Sequence, residues 1–146
     1  MARSKTGRKS PLSKAEYEMM AEFRYALRRF LRFSEEGIKQ EGLTPRQYQA
    51  LLAIKGFPGR ERVTVGEFAE RLQILHNSAV GLVDRLAALG LLAREQADGD
   101  RRQVLLSLTA DGAALLERLA VTHREELRRL GPEMISVFRR LTAEME

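Results

Sequence analysis

Two short amphipathic helices three residues apart, followed at once by a change of hydrophobic period, constrain this chain more than any other feature. Thr64 with Glu67 three residues on forms a capping box, in which hydroxyl and carboxylate each satisfy a backbone donor at a helix start. Behind it Val65, Phe68, Ala69 and Leu72 stand at i, i+3, i+4 and i+7, so one face is apolar. After Gln73-Ile74-Leu75 a second helix is expected from about His76 or Asn77. Its inner face is Ala79, Leu82, Val83, Leu86 and Leu89, and Gly90 is its stop. This is the spacing of a helix-turn-helix. The period then falls to two: residues 91–97 and 102–108 flank Asp98-Gly99-Asp100-Arg101, and Asp-Gly is a strong hairpin signal. A hairpin directly behind a helix-turn-helix is a wing.

Longer helices flank this core. Ser13 and Glu16 make another capping box, and the apolar spacing from Tyr17 to Leu31 predicts a helix to about Gly37. Thr44, Pro45 and Gln47 start the next, which Gly56-Phe57-Pro58-Gly59 stops. Thr109 caps a helix to Leu130; Gly131-Pro132 is expected to break it and start a last helix through Ile135, Phe138 and Leu141. The expected fold class is therefore mainly α with a small β-hairpin wing. A winged helix-turn-helix core covers about 44–109, with dimerisation helices at about 13–37 and 109–146. The first helix and the last two exceed what a winged helix requires, and their leftover apolar stripes suggest a subunit interface over ordinary packing within one chain.

At 146 residues the chain is one domain's worth. It has no cysteine, which excludes disulfides, thiolate metal sites and cysteine-based redox sensing by its own residues. Two histidines on distant elements make no metal site, and no cofactor is implied. No nucleophile–base pair, phosphate-cradling glycine loop or carboxylate dyad stands out, so an enzyme is not expected. The longest apolar run, residues 86–93, is too short to cross a membrane, and a cytoplasmic protein is expected. Net charge is +5, but Arg3, Lys5, Arg8, Lys9 and Lys14 precede the first acid, Glu16. Without those five, basic and acidic residues balance at 20 each. Residues 1–12 read as a basic flexible tail, either a phosphate-holding arm or a solvated terminus.

Asp100-Arg101-Arg102, then five residues, then Leu108-Thr109 and Gly112, resembles the wing motif of the MarR family of bacterial transcriptional regulators. Val83-Asp84-Arg85-Leu86 before Gly90-Leu91-Leu92 resembles the end of that family's recognition helix and the strand after it. The order of elements agrees from about Ser13 to Leu141. The resemblance implies a homodimer on pseudo-palindromic double-stranded DNA, often released by a small aromatic or anionic effector. It implies the start of the fourth helix in the major groove, with His76, Asn77, Ser78 and Arg85 available to bases and phosphates. Helix capping by Asn77 or Ser78, and pairing of Arg85 with a nearby carboxylate, are the plainer alternatives. Gly81 offers no side chain for readout, which shifts weight to the wing and to DNA shape. There Arg101 and Arg102 suit a narrow minor groove, with Asp100 orienting Arg102. The family places effectors between dimerisation helices and winged helix, where Arg24, Tyr25, Tyr48 and His123 are candidates. The alternative function is a winged-helix module that binds protein and little specific DNA.

Overall fold

The computed structural model describes residues 11–97 and 99–143, with only the backbone described at 100–102. Along the chain run α1 (Lys14–Gln40), α2 (Pro45–Lys55), β1 (Val63–Thr64), α3 (Val65–Leu72), α4 (His76–Ala88), β2 (Leu92–Ala97), β3 (Asp100–Leu108) and α5 (Ala110–Ala143). The strands form one antiparallel sheet in the order β1-β3-β2. The architecture is a winged helix-turn-helix carried on two long helices.

All three capping boxes form, at Ser13/Glu16, Thr44/Gln47 and Thr64/Glu67, each satisfying donors that a helix start leaves open. α1 runs past Gly37 to Gln40 and stops at Gly42, whose φ of 78° is the left-handed cap. Gly37 instead faces α5: a Cβ there would lie 3.9 Å from His123 Nε2.

The expected break at Gly131-Pro132 does not occur, and α5 is a single 34-residue helix with Pro132 inside it. Proline removes one N–H and so frees the carbonyl of Arg128, which sits on the exposed side where water can take it. Buried Leu130 and Val137 lie on either side of Pro132 and hold both halves of the helix in place. β1 has no signal of its own in the sequence; its two residues pair Val63 with Leu106 and Thr64 with Leu105. Leu89, expected to face inward, follows the last turn of α4 and is 55% exposed, while Leu91 is buried beyond the cap.

The main core joins α2, α3, α4 and the sheet to the end of α1 and the start of α5, centred on Leu51, Ile54, Val63, Phe68, Leu86 and Leu106. The outer halves of α1 and α5 pack as a separate strip through Met19, Ala26, Leu130 and Val137, with Phe23 and Phe138 rings 5.1 Å apart.

Candidate nucleic-acid interface

The turn between α3 and α4 is fixed by its backbone. Gln73 takes φ 54°, its N–H donates to the Glu70 carbonyl, and Ile74 N–H donates to Ala69 O at 3.1 Å. The Gln73 amide also donates to Glu70 O at 2.8 Å, which locks the left-handed residue. α4 then buries Ala79, Leu82, Val83 and Leu86 and turns the opposite face outward.

His76, Asn77, Ser78 and Arg85 are all exposed on α4, the first three in its first turn and Arg85 about two turns on. Neither Asn77 nor Ser78 caps the helix: the N-cap is Leu75, which has no side-chain hydrogen bond to give. The first-turn N–H groups of α4 therefore keep their partial positive charge for an outside acceptor. Asp84 is bound by Arg94 of β2, so the adjacent carboxylate is taken, and Arg85 has no ion pair among the described residues. The Asp84–Arg94 pair is half exposed and adds little stability; its effect is to tie α4 to the hairpin. Gly81 needs no glycine for internal reasons, since a Cβ there meets nothing within 4 Å.

The hairpin turn is tighter than expected. Gln96 pairs with Val104, but Ala97 pairs with Asp100, leaving residues 101–103 of β3 without a ladder partner among the described residues. Gly99 at φ 83° makes the turn possible. Arg101 and Arg102 therefore occupy the irregular stretch at the hairpin's end. The side chains of Asp100, Arg101 and Arg102, and residues 1–10 of the basic tail, lie outside what is described. Between α4 and the hairpin is a cavity of about 370 Å³ lined by Thr64, His76, Val80, Arg94 and Gln103 among others.

The effector candidates separate into two groups. Tyr48 and His123 are buried and joined, with Tyr48 Oη 2.7 Å from His123 Nδ1, which links α2 to α5. Phe30 and Phe33 of α1 turn ring edges toward the imidazole at 6.3 Å. Arg24 and Tyr25 stand exposed on α1, with Arg29 over the Tyr25 ring, and no hydrogen bond or ring contact joins them to the pair among the described residues. Sequence reasoning missed a cavity of about 240 Å³ between α1 and α5, where Arg118 reaches Glu41 at 3.5 Å and His123 forms part of the wall. The polar pair Gln40-Glu41 against the Arg118–Thr122 turn was its only trace.

Burial pushes the Tyr48 phenol up and the His123 imidazole down, the latter opposed by a hydrogen bond to the Ser34 backbone. Folding thus favours neutral His123. Its contribution is complete above the unfolded value of about 6.5 and is lost as pH falls through the lower folded value. The melting temperature should therefore fall on acidification below about pH 6.5, and fall less in His123→Gln. Melts between pH 5 and 8 check this; identical slopes in both proteins would remove His123 as the source.

Residues 41–103, the segment from the end of α1 to the wing, match the family model described as MarR family. The organic hydroperoxide resistance transcriptional regulator of Bacillus subtilis is 36% identical over 76 residues, which are 52% of this chain and 50% of that protein. The chain spans about half the length of the first curated relatives it matches. Among solved structures, AbsC, a MarR family transcriptional regulator from Streptomyces coelicolor, superposes with a TM-score of 0.73 at 20% identity, covering 94% of this chain and 95% of that one. A mutant of MarR from E. coli, complexed with operator DNA, superposes at 0.66 and 21% identity, covering 93% and 99%. These two likenesses establish the winged-helix fold. The family-model match across the helix-turn-helix and the curated relatives that share that segment make this chain similar to MarR family regulators.

Proposed function

We propose that this protein is a homodimeric, sequence-specific DNA-binding regulator of transcription, most simply a cytoplasmic repressor released by a small aromatic or anionic effector. The observation that carries the reading is the outer face of α4. There an uncapped, polar first turn and Arg85, without an ion pair among the described residues, stand beside a hairpin ending in two arginines. A helix start of this kind suits the major groove, and arginine at a wing tip suits the negative potential of a narrow minor groove. His76, Asn77 and Ser78 would meet base edges and phosphates, and Arg101 and Arg102 the neighbouring groove. Asp100 would orient Arg102, and residues 1–12 would add phosphate attraction.

The dimer reading rests on surface. Tyr17, Met20 and Leu31 of α1 and Leu127, Ile135 and Phe138 of α5 are large apolar side chains left exposed. A two-fold dimer along these helices would set two α4 helices about one DNA turn, roughly 34 Å, apart. An effector held beside Tyr48 and His123, in the cavity between α1 and α5, would act by favouring a spacing that mismatches the duplex. Arg24 and Tyr25 do not line that cavity and would take no part in holding the effector there. The signal would not be oxidation of a thiol in this chain, which has no cysteine.

Anisotropy titration of labelled duplex from low to physiological salt tests the reading. Affinity should fall steeply with salt, with a slope set by the phosphates neutralised. Absent or salt-indifferent binding by a well-folded dimer would favour a protein–protein module.

A further inference from the structure

The turn into α4 sends two neighbouring apolar side chains in opposite directions. Ile74 packs against the core, whereas Leu75 is 79% exposed, the most exposed large hydrophobic side chain among the described residues. Leu75 neither packs nor caps: it holds the N-cap of α4, where serine, threonine, aspartate or asparagine would bond the first turn, and makes no such bond. The surface around it is not an apolar patch of the size a protein partner covers. His76, Asn77 and Ser78 follow it directly, and all three are exposed polar residues. Val80, 40% exposed, is the next large apolar side chain on this helix outside the core, and the adjacent Gly81 adds no bulk, with open space where its Cβ would be. A duplex can therefore come close to this stretch of helix.

We propose that Leu75 reads the 5-methyl group of a thymine in the major groove. This deepens the DNA-binding reading above and rests on it. Among the base edges in that groove, thymine's is the one that carries an apolar group; the others offer only hydrogen-bond donors and acceptors. A leucine beside a helix start, where base contacts are made, has that methyl as its one apolar counterpart. Specificity at this position comes from burial of two hydrocarbon surfaces and needs no hydrogen bond.

The test takes duplexes enriched by the purified protein from a randomised library and replaces each thymine of a half-site by deoxyuridine, which removes the methyl and keeps the pairing. One thymine per half-site should be sensitive, with wild-type affinity falling about fourfold for each methyl removed. Leu75→Ala should fold as wild type does, bind the thymine duplex more weakly, and show no difference between thymine and uracil at that site; Leu75→Met should restore the difference. A uracil penalty unchanged in Leu75→Ala, or no sensitive thymine in an enriched sequence, would overturn the inference while leaving DNA binding intact. Failure to enrich any sequence would overturn the DNA-binding reading, and this inference with it.

Discussion

Gly112→Ala is expected to cost about 3 kcal/mol and lower the melting temperature by roughly 10 °C. A Cβ at 112 would sit 2.0 Å from the Leu91 carbonyl oxygen and 2.9 Å from its carbon, and both atoms are backbone. No rotamer change relieves such a clash, so either α5 or the turn after α4 has to move. That junction is tightly specified. Thr109 N–H donates to Leu91 O at 3.1 Å, the Thr109 hydroxyl donates to Gly90 O at 2.6 Å, and Gly112 N–H donates to that hydroxyl at 3.0 Å. The Leu108-Thr109…Gly112 part of the motif thus fixes the start of α5 against the end of α4. Gly131→Ala is the control. Nothing lies within 4 Å of its Cβ, and inside a helix the change should gain up to about 1 kcal/mol. Thermal melts of the two variants decide it; equal stabilities would show that the α4–α5 contact does not require glycine.

Arg102→Ala should lower affinity for the selected operator by at least about thirtyfold while leaving the melting temperature and the proposed dimer unchanged. Each guanidinium in a groove is worth about 1–3 kcal/mol, and a dimer loses two. Residue 102 lies in the irregular stretch of β3 at the hairpin's end, away from the core that Val104, Leu106 and Leu108 anchor, so the fold has little to lose. Competition with random duplex separates two ways of failing. Equal losses on specific and random DNA make Arg102 a phosphate holder, and a selective loss makes it a reader. Unchanged affinity on both would remove the wing from the interface.

The helix-turn-helix was legible because its signals are local. Three capping boxes and the i, i+3, i+4, i+7 spacing of α3 act within a few residues and appear where the sequence placed them, and the Asp-Gly hairpin forms with a tighter turn than the sequence suggested. What was missed depends on distant partners. β1 is two residues long and exists only because β3 pairs with it, and Pro132 stays helical because Leu130 and Val137 are held against α1. Site candidates followed the same division. The outward set on α4 came from helical period alone. The Tyr48–His123 bond joins residues 75 apart in sequence, and the exposure of Leu75 depends on a left-handed glutamine two residues earlier. Arg24 and Tyr25 looked equivalent to that buried pair in sequence because half a turn of helix, about two residues, separates inward from outward.

The most direct measurement is enrichment of randomised duplexes by the purified protein at about 0.15 M salt, followed by the mass of the enriched complex. Recovery of one pseudo-palindrome, with half-sites centred about one helical turn apart and two protomers per duplex, is the expected result. Duplexes no different from the starting pool, recovered with a folded protein, would contradict sequence-specific DNA binding and assign the exposed face of α4 to another partner.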